Sequence, residues 1–357
     1  MRVTHLPKKK WQDISNEELG GKRENTVCLI RYGGFGDLLQ ISSIFPLLKA
    51  QGKKVCVNVT ENGYSILKND PNVDELLIQA TDQIPNEELG PYWKRLRRIF
   101  PSVINLSCII EQGLLLLPNH SLYNGDKEER HKKLNKNYSE ALHSKAKVPH
   151  IFETKFYPSS TERKWVAEQR RNMRFGAGHY VIVVALSGSS VHKAYPYMDS
   201  VIAYYLMEEP MARFVLVGEE LCKMLEVGWE KEPKVFCKSG DWSIRQSLAF
   251  AQTADLVVGP ETGVLNAVSS EDVAKVVMLS HSSEENLTKH WVNTTAVTSD
   301  AECYPCHKLH YGFATCNRHE ETGGAMCTAR LDPRKVVDSI DYHWNLKNDI
   351  SRTLSNG

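Results

Sequence analysis

Short apolar, β-rich runs alternate with longer stretches of helical spacing along this chain. Thr26–Arg31 (TVCLIR) and Lys54–Val59 (KVCVNV) read as buried strands, and Leu38–Ala50 between them places apolar residues on one helical face. Tyr64–Leu67 and Asp74–Leu77 continue the alternation across a turn at Asn69-Asp70-Pro71, and Val103–Leu106 reads as a further strand. Ser159–Arg174 predicts a helix opened by serine or threonine, with Glu162 spaced for a capping box. The alternation restarts with strands at Tyr180–Leu186, Arg213–Val217, Lys234–Cys237, Ala254–Val258 and Ala274–Leu279. Helices are predicted over Met198–Glu208 and Ser243–Gln252. This order predicts parallel sheets. No short fixed period runs through it, so two similar α/β halves are expected rather than a solenoid.

The chain has 357 residues, which suits two domains of roughly 150–180 residues each. The boundaries predicted are a polar N-terminal arm at 1–24, a first domain at 25–175 and a second at 176–357. Residues 119–147 are densely charged with few aliphatics and read as an exposed loop or solvated helix.

Composition narrows the function classes. Hydrophobic residues make up 41%, charged residues 24%, and the net charge is +1. No global field therefore demands nucleic acid or a membrane surface as partner. Met1–Arg23 lacks the apolar core of a signal peptide, and no run approaches the ~20 apolar residues of a membrane span. A cytoplasmic location is expected. Of nine cysteines, four crowd into 303–327, and in a reducing compartment such crowding suggests a metal before a disulfide.

Three loops at predicted strand ends carry candidate chemistry. Gly33-Gly34-Phe35-Gly36-Asp37 follows the first strand. Its glycines permit a sharp turn and close approach of a ligand, and Asp37 sits at the start of the next helix, as a cap or as an acid–base group. Leu39 stands where a dinucleotide fingerprint needs its third glycine, which counts against a nicotinamide enzyme. Ser187–Lys193 (SGSSVHK) offers room for a phosphate and a lysine to neutralise it. Gly259–Gly263 turns sharply into a helix whose amides can hold a diphosphate or simply be capped.

Taken together, these segments resemble glycosyltransferase family nine, the ADP-heptose:lipopolysaccharide heptosyltransferases. Ile30-Arg31-x-Gly-Gly-Phe-Gly-Asp37-Leu-Leu, with Phe45-Pro46 after it, is similar to the family's opening. Leu67–Leu77 (LKNDPNVDELL) is similar to its asparagine-proline-x-valine-aspartate stretch. Gly259-Pro-Glu-Thr-Gly-Val-Leu-Asn266 is similar to its glycine-proline-aspartate-threonine-glycine motif, and the cysteine tail has counterparts in many members.

The resemblance implies a GT-B fold, two Rossmann-like domains with parallel sheets facing a central cleft, and an inverting glycosyl transfer. Asp37 would be the general base. The resemblance places the nucleotide-sugar donor in the C-terminal domain, on Lys193, Thr262 and Gly263, with Glu219 toward the ribose. Gly34, Gly36, Ser187, Ser189, Gly218, Glu261 and Asn266 complete the expected donor set. Glu261 and Asn266 stand where the family has aspartate and histidine, so the sugar need not be heptose. No cofactor is required for transfer if lysine and amides hold the leaving charge.

The tail spacing, Cys303-x2-Cys306-x9-Cys316-x10-Cys327, suits a structural tetrahedral zinc, an iron–sulfur cluster, or free thiols packing a loop. The acceptor would be a surface glycan or, with the basic clusters Lys94–Arg98 and Lys132–Lys136 lining its approach, a modified base in DNA. A nucleotide-sugar-binding protein without turnover is the alternative of another class.

Overall fold

The computed structural model describes residues 1–190, 193–310 and 312–355, with side chains described to residue 349. Val191 and His192 of the Ser187–Lys193 loop lie outside the described residues. The chain divides into two compact units, one of residues 1–111 and 138–157, the other of 112–137 and 158–357.

The first unit holds a five-stranded parallel sheet of β1 (Arg2–His5), β2 (Thr26–Ile30), β3 (Lys54–Val59), β4 (Glu75–Ile78) and β5 (Ser102–Asn105), in the order β1-β4-β3-β2-β5. The near-continuous apolar runs of β2 and β3 are buried on both faces, as a parallel sheet requires. The N-terminal arm differs from its prediction. β1 pairs in parallel with β4, from Arg2 opposite Glu75 to His5 opposite Ile78. Leu6, Ile14 and Leu19 are buried behind it. Three apolar anchors spread over fourteen positions make no periodic signal, so the segment read as solvated.

The second unit holds a six-stranded parallel sheet of β6 (Tyr180–Ala185), β7 (Ala212–Val217), β8 (Val235–Cys237), β9 (Leu256–Pro260), β10 (Ala274–Met278) and β11 (Thr294–Val297), in the order β11-β10-β9-β6-β7-β8. β11 was not predicted, because Thr294–Val297 is short and half-exposed at the sheet edge. The helix Pro333–Ser355 packs Trp344 flat against Tyr180, ring centroids 4.1 Å apart. The predicted capping box is present: Ser159 Oγ accepts from Glu162 N at 3.1 Å, and Glu162 accepts from Ser159 N at 2.6 Å.

Where a single boundary at 175 was expected, the chain passes between the two units three times, after residues 111, 137 and 157. The helix Ser160–Asn172 belongs to the second unit, tied by Glu162 to buried Arg245. Residues 112–137 also belong there. Their helix Lys127–Leu134, capped by Asp126, buries Arg130 and Leu134, and Leu116 exchanges main-chain bonds with His307 and Leu309. Charge made 119–147 read as exposed, but within it Arg130 is buried against main-chain carbonyls. Among the described residues no helix is long and apolar enough to cross a membrane.

Candidate functional site

Each sheet reverses its strand order once, and the loops leaving the two strands at that point are where open α/β sheets bind ligands. In the first unit the reversal lies between β2 and β5. The loop after β2 carries Arg31 and Asp37, and the loop after β5 carries Glu111. Arg31 is 1% exposed. It grips Glu111 with both terminal nitrogens, at 2.8 and 3.0 Å, and pairs with Asp37 Oδ1 at 2.8 Å. Burial works against its charge, but the two carboxylates outweigh it and raise the guanidinium above its usual range.

The other oxygen of Asp37 accepts from Gly34 N at 2.8 Å, so Asp37 caps its own helix, Phe35–Gln40. Gly33 makes this closure fit: it has φ of +126°, and a Cβ there would lie 2.6 Å from Asp37 Oδ2. The side chain of Asp37 remains 27% exposed and that of Glu111 26%. Gly34 is exposed in the same turn. Gly34 and Gly36 thus belong to the first unit, apart from the rest of the expected donor set.

In the second unit the reversal lies between β6 and β9. The loops after them bring together Gly188, Lys193, Glu261 and Thr262. Lys193, itself buried, donates to the Glu261 carbonyl at 3.0 Å. A Cβ on Gly188 would lie 2.7 Å from Lys193 Cδ and 3.3 Å from Thr262 Cγ2. The Thr262 hydroxyl is buried and, among the described residues, has no hydrogen-bond partner. Gly263 opens a helix of only five residues, too short for a helix dipole to count at this point.

The Glu261 carboxylate turns away into the loop after β10. It accepts from Ser280 N at 2.6 Å, Ser280 Oγ at 3.1 Å and His281 N at 3.2 Å, and pairs with His281 Nε2 at 2.9 Å. Burial pushes its pKa up, but His281, Lys193 and these bonds prevail and hold it well below the usual carboxylate range. Asn266 is likewise inward, donating to Thr262 O at 2.8 Å. Ser187 is half-buried, Ser189 and Glu219 are exposed, and Gly218 packs tightly against Cys222.

Cys303, Cys306, Cys316 and Cys327 border one pocket of about 310 Å³. A bond with Cys327 is the main cause drawing the Cys303 thiol down, helped by Lys127 and Arg330, while Cys327 is pushed up. Cys306 lies 3.6 Å from His310 Nε2, and Cys316 faces the Asn317 carbonyl at 3.8 Å. Burial raises Cys306 to about 12 and Cys316 to about 11. Among the described residues no three His, Cys, Asp or Glu side chains are placed to hold a metal ion. Cys303 and Cys327 thus pair with each other, while Cys306 and Cys316 turn to His310 and to a main-chain carbonyl.

The basic clusters also have structural partners. Arg95 donates to the carbonyls of Trp11 and Ile14, fastening the N-terminal arm, and Lys133 pairs with Glu129.

Glu111 was missed by the sequence reading. It lies in an apolar stretch without a motif, and its part shows only once β5 is placed beside β2.

The chain matches no known protein-family profile. It matches no curated protein. Solved structures do resemble it. The ADP-heptose lipopolysaccharide heptosyltransferase II of E. coli is 13% identical, covers 90% of this chain and 99% of its own, and superposes with a TM-score of 0.61. A glycosyl transferase family 9 protein from Veillonella parvula is 12% identical, with 90% and 97% covered and a TM-score of 0.61. The iron-containing dodecameric glycosyltransferase TibC from enterotoxigenic E. coli is 14% identical, with 91% and 80% covered and a TM-score of 0.57. TibC has also been solved with ADP-D-β-D-heptose. The two parallel α/β units of this chain therefore have the GT-B fold of the heptosyltransferases.

Proposed function

We propose that the protein is an inverting glycosyltransferase of the heptosyltransferase kind, moving a sugar from a nucleotide-diphosphate donor to a hydroxyl of a glycan acceptor in the cytoplasm. The observation that carries this reading is the point where Gly188, Lys193, the Glu261 carbonyl and the unpartnered Thr262 hydroxyl meet, at the strand reversal of the second sheet. A buried ammonium beside a hydroxyl that has no hydrogen-bond partner among the described residues suits a diphosphate.

In this reading the acceptor hydroxyl attacks the anomeric carbon and passes its proton to Asp37. The bond to the diphosphate breaks with its electron pair leaving on oxygen, and Lys193, Thr262 and the Gly263 amide hold the charge that develops. No cofactor takes part in these steps. Arg31 fixes the direction of the Asp37 carboxylate, and Glu111 fixes Arg31. Glu219, exposed after β7, takes the ribose hydroxyls, with Gly218 packed against Cys222 to set the turn that presents it. Ser187 and Ser189 flank the phosphates, and Gly34 and Gly36 let substrate approach Asp37. Glu261 and Asn266 hold the donor loop in shape from within.

The test is a panel of nucleoside diphosphates and their sugars, read as melting temperature and as product formed. A true donor raises the melting temperature with its concentration. If no nucleoside diphosphate shifts it, the donor site is misassigned.

A further inference from the structure

The pocket bordered by the cysteines carries positive charge that no carboxylate answers. Lys127, Arg130 and Lys308 line it. Arg130 is only 5% exposed, and its bonds all run to neutral carbonyls: Nε to Cys306 at 2.8 Å, and Nη1 to Gly125 at 2.9 Å, Leu122 at 3.4 Å and Tyr123 at 3.5 Å. Its Nη2 makes no hydrogen bond among the described residues. Lys127 donates to the Glu302 carbonyl, and Lys308 sits 4.5 Å over the Tyr123 ring. None of the three forms an ion pair with a carboxylate among the described residues.

Buried cations are paired as a rule, because desolvating an unanswered charge is costly. The opposing groups at this pocket are few. Glu302 is exposed at its rim, and the Cys303 thiol feels the charges of Lys127 and Arg330. The remaining lining is polar and neutral or weakly basic: Ser280, His281, His310, Thr315 and Asn317. A guanidinium and two ammonium groups lining one pocket, with hydroxyl and amide donors beside them, match an oxyanion in charge and in hydrogen-bonding capacity. The volume of about 310 Å³ suits a small ligand, at the low end for such sites.

We propose that this pocket is an anion site, receiving a phosphate or carboxylate group of a small ligand on Arg130 Nη2, with Lys127 and Lys308 as flanking cations. Lys127 and Arg130 come from residues 112–137, so the crossing of that segment into the second unit is what assembles the site. The proposal depends on the transferase reading only for the ligand's source, which is either a free anion or an anionic group borne by the acceptor.

The experiment titrates inorganic phosphate into the full-length protein by calorimetry in chloride buffer, and repeats it with the double variant Lys127→Gln, Lys308→Gln. Both side chains reach the pocket without filling the core, so the variant should fold. Arg130→Lys, which keeps the charge and loses the planar edge, is the companion. Saturable binding by the parent protein, weakened about tenfold or more in the double variant, is the expected result. Three results overturn the proposal. One is no binding. A second is equal effects in parent and variant, which mark general salt stabilisation. The third is a stoichiometric metal with all four tail thiols unreactive, which would mean the pocket belongs to the metal. The shift caused by ADP, read on the same samples, should persist in the double variant; its absence from both proteins counts against the donor site instead. Phosphate inhibition of transfer that excess acceptor relieves assigns the anion to the acceptor, and inhibition that acceptor does not relieve assigns it to a free anion.

Discussion

The two strand reversals of this protein are built alike and end with opposite character. In each, a cation from the loop after one strand crosses to the loop after its neighbour: Arg31 to Glu111 in the first unit, Lys193 to Glu261 in the second. In the first, the cation is shared by two carboxylates that both stay about a quarter exposed, so the loops present acid to a ligand. In the second, Glu261 offers Lys193 only its main-chain carbonyl and turns its carboxylate inward to Ser280 and His281. The Thr262 hydroxyl beside it has no hydrogen-bond partner among the described residues. On the proposed reading, one topology supplies a proton acceptor in one unit and a charge holder in the other, and the two differ in where a single carboxylate points.

Substitutions that separate the two carboxylates put this contrast at risk. The largest effect is expected for Asp37→Asn, which keeps an acceptor for Gly34 N but removes the base. The kcat for transfer should fall about a thousandfold with the donor's Kd unchanged. Unaltered transfer would move the base elsewhere, with Glu111 the next carboxylate to try.

Glu261→Gln should act on stability rather than chemistry. It leaves His281 without its ionic partner in a buried site, at a cost of about 2–3 kcal/mol, measured by denaturant unfolding at neutral pH. The pH dependence gives a second reading. A carboxylate held below its unfolded pKa stabilises the fold fully above the ordinary value of 4.5, and that stabilisation is lost as pH falls below it. The variant's stability should therefore decline less between neutral pH and pH 3 than the parent's does. Parallel curves would show that Glu261 contributes no such linkage.

The smallest effect belongs to Glu111→Gln. Arg31 would then turn its whole charge on Asp37 and weaken it as a base. The acid limb of the kcat profile should move to lower pH, with kcat down about threefold and KM for the donor unchanged. A shift to higher pH would reverse the assigned role of Glu111.

Much of this was legible in the chain. The buried strands announced themselves because parallel strands covered on both faces are continuous apolar runs, as in Val27–Ile30 and Val181–Ala185. The loops at Asp37, Lys193 and Thr262 could be placed because each follows such a run. Edge strands such as Arg2–His5 are half-polar and give no such signal. The direction of a side chain was also out of reach. Glu261 sits in a motif expected beside a donor, yet its carboxylate answers to Ser280–Ser282, which the sequence separates from it by a whole helix and strand. Charge misled most at 119–147, where Arg130 is buried among carbonyls contributed partly by a cysteine loop more than 170 positions away.

That interleaving bears on how the protein is made. The chain emerges from the ribosome with its amino end first, and residues 112–137 appear long before the 303–327 segment against which they pack. The first unit can close once residue 157 is out. The helix bearing Lys127 and Arg130 must then wait, as a tethered excursion from a finished unit, for most of the second unit to be synthesised. Neither unit is a contiguous stretch of the gene, so exchange of one half for another by simple recombination would leave both incomplete.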